Sequence, residues 1–214
     1  MCGIVGEASL GALSSVEWIK NALNAIKHRG PDNEGIWSSE NKKVVFGHTR
    51  LSIIDLSKNG HQPMVTDCQD YVITFNGEIY NYKKLEKKII EKGIKLKTNS
   101  DTEILLNCYK IWDLDCLNMF EGMFAFSIYD KKKNIVVFAR DKSGQKPLYL
   151  SKNNFSLSFS SELKGLLKNP NIERKLSHSS FAEYLHQGYV SGKKSLLKNV
   201  FKLKAGQYLI YNLS

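Results

Sequence analysis

The sequence predicts an α+β fold in which two antiparallel sheets pack face to face and helices lie outside them. Three observations carry that prediction. Strand-like runs dominate the 214 residues and come largely in hairpin pairs. Amphipathic helical stretches fall between groups of strands rather than after every strand, which favours antiparallel over parallel sheets. The run MFAFSIY (123–129) is apolar on both faces, as a strand covered on both sides must be. A chain of 24.3 kDa with 42% hydrophobic and 24% charged residues is ordinary for a folded domain with a sizeable core.

The elements follow in order. A first strand is expected over 3–8. Ser14-x-x-Glu17 reads as a capping box ahead of a helix that turns Trp18, Ile19, Ala22, Leu23 and Ile26 inward, with Gly30-Pro31 beyond its end. Strands over 43–50 and 71–75 come next. A second helix covers 82–92 and stops at Gly93, its Leu85, Ile89 and Ile90 inside and its lysines in water. Ser100-x-x-Glu103 caps a third helix, with Ile104, Leu105, Cys108, Ile111 and Trp112 on one stripe. Strands over 122–129 and 134–139 meet at a tip carrying Lys131, Lys132 and Lys133. Strands over 147–151 and 155–160 complete the set. FSLSFS alternates strictly, which predicts a half-buried strand with Phe155, Leu157 and Phe159 inward. Asn153-Asn154 before it suits a tight hairpin, because Asn tolerates positive φ. Ser180-x-x-Glu183 opens a fourth helix, around 180–187.

A net charge of +10 raises the question of nucleic acid. The basic residues argue against it. Lys83, Lys84, Lys87, Lys88 and Lys92 form the wet face of a helix, and no RNA-binding aromatic motif or finger spacing accompanies them. No apolar run approaches the roughly 20 residues that span a bilayer, and no secretory signal opens the chain, so a cytoplasmic location is expected. Cys2, Cys68, Cys108 and Cys116 form no C-x-x-C pair, so free thiols are expected and a metal site is not.

The chemistry begins at Cys2, in the run MCGIVG. Small residues behind Met1 permit methionine removal. Cys2 would then carry its thiol and a free α-amine on adjacent carbons. An α-amine has a pKa of about 7.7–8.0, so it can accept the thiol proton, giving nucleophile and base in one residue. FNGEIYN (75–81) follows the strand YVITF, and the Asn76 amide with the Gly77 N–H would stabilise a developing oxyanion. Arg50, at the end of a strand in HTRLSIID, offers a guanidinium fork for a carboxylate. Asp101, in the first turn of a helix, would hold an ammonium. Carboxylate and ammonium are the two ends of a free amino acid, and thiol and oxyanion donors would meet a side-chain carbonyl. Glutamine and asparagine are the amino acids that fit.

MCGIVG, HRGPD, the strand ending in Arg50, FNGEIYN, SDTE and RDKSGQKPLYL stand in the order seen in class II glutamine amidotransferase domains. The chain most resembles the N-terminal glutaminase domain of glutamine-hydrolysing asparagine synthetases, over essentially its whole length. Lys142 and Ser143 stand where relatives often carry other residues, and Leu150 where an aromatic is frequent. The resemblance implies an N-terminal nucleophile hydrolase fold, a four-layer αββα sandwich. It implies Cys2 as nucleophile, Asn76 and Gly77 as oxyanion hole, and a glutamine site lined by Arg50, Leu51, Ser52, Ile53, Ile54, Asn76, Gly77, Glu78 and Asp101. It implies one glutaminase domain over 1–214, whose residues from about 190 lead toward a synthetase domain. No Ser-Gly-Gly-rich phosphate loop is present, so no cofactor is expected here; ATP and magnesium would belong to that synthetase domain. The partners expected are L-glutamine and the synthetase domain or protein that receives ammonia, with a homo-oligomer left open. Two alternatives stand beside this: ammonia supplied to another acceptor such as a sugar, and a glutamine-binding or partner-docking module without turnover.

Overall fold

The structure, a computed structural model, describes residues 1–13 and 15–214. Its strands are β1 (Gly3–Ser9), β2 (Asn33–Ser38), β3 (Val44–Arg50), β4 (Met64–Val65), β5 (Tyr71–Ile79), β6 (Gly122–Asp130), β7 (Ile135–Arg140), β8 (Tyr149–Lys152), β9 (Ser156–Ser160), β10 (Val200–Lys202) and β11 (Tyr208–Asn212). Its α-helices are α1 (Glu17–Ile26), α2 (Tyr82–Glu91), α3 (Asp101–Trp112), α4 (Leu163–Leu166) and α5 (His178–Gln187). One sheet runs β10-β8-β9-β1-β3-β2 and the other β11-β7-β6-β5-β4, and the pairings are antiparallel.

Strand alternation sorts the side chains into layers. Ile4, Ala8, Val44 and Phe46 of the first sheet meet Val72, Ala125, Val136 and Phe138 of the second between the sheets. The opposite face of the first sheet packs Val5 and Val45 against Trp18, Ile19, Leu23 and Ile26 of α1. The outer face of the second packs Ile73, Phe75 and Ile79 against Leu85, Ile89, Ile104 and Leu105 of α2 and α3. MFAFSIY is covered on both sides, as its composition requires. The middle layer centres on Phe159, whose ring meets Phe46 and Phe138 edge to face at centroid distances of 5.6 and 5.2 Å. Phe159→Ala is expected to lower unfolding stability by about 3–5 kcal/mol, measured by urea denaturation.

Several local expectations are corrected. Ser14 lies outside the described residues; α1 starts at Glu17 behind Val16, and Ser15 Oγ accepts the Glu17 N–H. Ser100 does cap α3, accepting from Thr102 N, but Glu103 does not reach back to close the box. Its carboxylate takes Lys97 N and Thr98 N of the preceding loop. The α3 stripe is wider than expected, with Leu106 and Tyr109 also buried, while Ile90 of α2 is exposed. Helix α5 starts earlier, capped by Ser177 rather than Ser180. Strand β9 is buried on both faces because α4 and Asn169 cover its serines, and Phe155 lies outside it in solvent. The β8–β9 turn works through the Asn153 side-chain amide oxygen, which accepts from Phe155 N and Ser156 N, and not through positive φ. Strands β2, β4, β10 and β11 went unforeseen. The last two, from the segment expected to lead outward, pair with β8 and β7 as edge strands of the two sheets.

Candidate active site

Register and alternation bring the singled-out residues to one end of the sandwich. Gly3 lies opposite Thr49, which sets Cys2 across from Arg50. Val72, Thr74 and Asn76 share the face of β5 that looks at the first sheet, and Thr74 Oγ1 donates to Gly47 O there at 3.2 Å. Cys2, Arg50 and Asn76 thus meet at the rim of the middle layer, around a cavity of about 100 Å3. Leu51, Ile53, Ile54, Gly77, Glu78 and Asp101 also line it. Ser52 does not; its N–H is held by Asp32 Oδ2 at 2.8 Å.

The Cys2 sulfur is bracketed by one residue of the loop after β3. It accepts from Leu51 N at 3.4 Å and donates to Leu51 O at 3.6 Å. Burial pushes the thiol above its ordinary pKa, against the opposing effect of the Leu51 N–H. A thiol so placed is protonated at neutral pH and requires a base. Met1 lines the cavity beside it, and burial holds the Met1 amine below its ordinary value. Arg29 of HRGPD donates to Cys2 O at 2.9 Å and to Glu162 at 2.9 Å, fixing the start of the chain. That loop therefore supports Cys2, which its turn-like composition did not reveal.

The strand expected to end at Phe75 runs on: Asn76 and Gly77 continue β5, opposite Ala125 and Phe124. A side chain at Gly77 has no room: a Cβ would lie 2.3 Å from Met123 O. The neighbouring strand β4 covers only Val72 and Ile73, so the edge beyond is open. Phe75, Gly77 and Ile79 turn their N–H groups to that edge. Phe75 N donates to Gln62 Oε1 at 2.7 Å and Ile79 N to Asp101 Oδ2 at 3.0 Å. Gly77 N, between them, meets no acceptor among the described residues. Asn76 Nδ2 is also buried without a partner. Asn76 and Gly77 line the same cavity as Cys2, so both donors lie where that cavity opens.

The charged side chains divide. Arg50 is buried and donates to Ser57 O at 2.7 Å and to Asp55 O, so the loop after β3 wraps the guanidinium. Those bonds use two of its five N–H donors and leave the others for a carboxylate. Asp101, at the start of α3, is pushed up to about 6 by burial, with the nearby Glu78 charge adding to the rise. Lys146, 5% exposed, also lines the cavity; its Nζ meets Met1 Sδ at 3.0 Å, and burial lowers its pKa. Its backbone is set by Asp141, which accepts from Phe124 N at 3.2 Å and Lys146 N at 3.0 Å. The sequence reading missed Gln62 and Lys146. Lys146 was legible only as part of the RDKSGQKPLYL motif, and Gln62 only as the residue before a proline. No grouping of His, Cys, Asp and Glu suited to a metal occurs among the described residues, and among them no helix is long and apolar enough to cross a membrane.

Two antiparallel sheets between helices, with a cysteine leading into an inner strand, are the architecture of N-terminal nucleophile hydrolases. The comparisons with known proteins agree. A structure described as the allosteric regulatory enzyme of purine biosynthesis superposes with a TM-score of 0.71 at 19% identity, covering 99% of this chain and 47% of that one. Glutamine phosphoribosylpyrophosphate amidotransferase from B. subtilis gives 0.67 at 17%, covering 100% of this chain and 49% of that one. A family profile described as a glutamine amidotransferase domain matches residues 1–214. The chain belongs to that glutamine amidotransferase family.

A Methanocaldococcus jannaschii protein, assigned provisionally as glutamine-hydrolysing asparagine synthetase 2, is 40% identical over 100% of this chain and 44% of its own length. The Bacillus subtilis glutamine-hydrolysing asparagine synthetases 3 and 1 are 34% and 38% identical, over 88% and 96% of this chain. The chain spans 31% and 33% of those two, so it corresponds to less than half of each of these curated relatives.

Proposed function

We propose that the chain hydrolyses L-glutamine to glutamate and ammonia through a thioester on Cys2. With Met1 removed, the Cys2 α-amine takes the thiol proton and the thiolate attacks the side-chain amide carbon. Asn76 Nδ2 and Gly77 N–H hold the oxyanion. The amine then protonates the departing ammonia, and water hydrolyses the γ-glutamyl thioester to glutamate. Arg50 and Asp101 bind the α-carboxylate and α-ammonium, and Leu51, Ile53, Ile54 and Glu78 complete the walls. The observation that carries this reading is the buried, unpartnered Asn76 Nδ2 at the cavity that Cys2 and Gly77 also line. The raised thiol pKa supports the requirement for an adjacent base. Ammonia release from glutamine by protein whose mass shows loss of Met1 tests the reading; protein retaining Met1 is expected to be inactive, because its Cys2 nitrogen is an amide.

The names of the relatives support a further step. Ammonia is used for ATP-dependent amidation of aspartate by a synthetase domain or partner, in the cytoplasm, with residues 1–214 acting as one glutaminase unit. Asp101 gives this reading a pH signature. Its carboxyl ionises at about 6, so below that pH it is neutral and no longer attracts an ammonium. On the acid side, kcat/KM for glutamine is expected to fall as the Cys2 amine is protonated and then to steepen by about a further tenfold per pH unit below about 6. Asp101→Asn is expected to remove the added steepening, leaving the limb set by the amine, and to raise KM. Both are read from the pH dependence of initial rates.

A further inference from the structure

Gln62 stands where the ladder beside β5 fails. Met64 pairs with Ile73, so the same register puts Gln62 opposite Phe75. The strand does not reach that far. The Gln62 backbone carbonyl is instead turned toward Gly35 of β2, where a Cβ would lie 2.2 Å from it. The side chain replaces the missing backbone acceptor. Phe75 N–H is an obligate donor, so Oε1 must face it, at 2.7 Å, and Nε2 must then face Thr102 Oγ1, at 3.1 Å. Gln62 is 5% exposed and lines the same cavity as Cys2. Thr102 is 2% exposed and follows Asp101 in the first turn of α3. The Phe75 carbonyl is held as well, by His48 Nε2 at 3.1 Å. The residue directly before Asn76 therefore has both main-chain groups clamped by side chains from other elements.

We propose that Gln62 is a positioning residue of this site. Its carboxamide ties the strand carrying Asn76 and Gly77 to the helix turn carrying Asp101. It thereby holds the oxyanion donors and the ammonium-binding carboxylate at the separation that one amino-acid substrate spans. This inference rests on the glutaminase reading given above. Gln62 touches no reacting atom; it acts through Phe75 and Thr102.

The consequence is a coupling between two ends of the substrate. The α-ammonium held by Asp101 helps to seat the distant amide only while the bridge is intact. The test compares glutamine with glutaramate, which keeps the amide and the carboxylate but lacks the α-ammonium. In wild-type protein kcat/KM is expected to favour glutamine. Gln62→Met, of similar length and without hydrogen-bonding groups, is expected to reduce that preference about tenfold or more, mainly through kcat for glutamine. Thr102→Val removes only the helix side of the bridge and is expected to act in the same direction. The double variant is expected to lose little more than Gln62→Met alone, since both break one connection. A purely structural defect lowers both substrates by the same factor and leaves the preference unchanged. An active wild type with an unchanged preference in both variants overturns the proposal alone. Should Gln62→Met fail to fold, an unchanged preference in Thr102→Val suffices to do so. A wild-type chain, verified free of Met1, that releases no ammonia overturns the glutaminase reading and this proposal with it.

Discussion

Cys2→Ala is expected to abolish ammonia release from glutamine. Removing the attacking atom takes away the covalent route, and a loss on the order of 10^6-fold accompanies removal of a covalent nucleophile. The variant keeps the α-amine, so any residual water-activated hydrolysis is retained and sets the background. It also keeps Arg50, Asp101 and the oxyanion donors, so glutamine binding is expected to survive. Calorimetric titration with glutamine, run beside an ammonia assay, separates the two. Binding without turnover in Cys2→Ala, together with turnover in the parent, also disposes of a glutamine-binding module without catalysis. Turnover in Cys2→Ala close to that of the parent would contradict the mechanism.

Asn76→Ala carries the second-largest expected effect. Loss of one oxyanion donor typically costs about 100- to 1,000-fold in kcat, and KM is expected to change little because the ground-state amide makes weaker use of the donor. Stability provides an independent check on the assignment. Asn76 Nδ2 has no hydrogen-bond partner among the described residues, so truncation breaks no bond seen there. A buried amide with structural partners would behave differently, since its removal strands them at about 1–3 kcal/mol each. Steady-state kinetics and a thermal melt on the same preparation read both quantities. A large drop in melting temperature with a modest change in kcat would assign Asn76 to the fold instead.

Much of the architecture was legible in the sequence, for reasons that individual residues make clear. Trp18, Ile19, Ala22, Leu23 and Ile26 recur at helical spacing and do pack on one sheet. MFAFSIY had no polar face to offer solvent and lies between the two apolar layers. The missed strands lacked such patterns. NEGIWS in β2 is an exposed edge with one buried glycine, and β10 and β11 are short edges. FSLSFS misled because alternation reports polarity and not coverage: Ser158 is polar yet buried, bonded by Asn169 Nδ2 at 3.0 Å.

The candidate residues that the structure gathers at one cavity were legible where side-chain identity marks them, and less so where register does. Cys2, Arg50 and Asp101 announce a nucleophile, a cation and an anion by what they are. Asn76 and Gly77 were expected just beyond the strand, since Asn-Gly favours turns; pairing with β6 overrode that preference and carried β5 on to Ile79, which makes the Gly77 N–H an edge group. Gln62 acquires its place only because Met64 pairs with Ile73, a relation between segments that no local pattern encodes.

The central claim is that the sulfur of Cys2, beside its own free amine, is the atom that attacks glutamine. An electrophilic glutamine analogue, applied to protein verified to lack Met1 and followed by peptide mass mapping, tests it most directly. Of the other thiols, Cys108 and Cys116 are buried, and burial pushes Cys108 up to about 12, while Cys68 is exposed and serves as the internal control for indiscriminate alkylation. The account predicts one adduct per chain, on Cys2, suppressed by excess glutamine. Label confined to Cys68, or a Cys2 adduct that glutamine does not suppress, would contradict it.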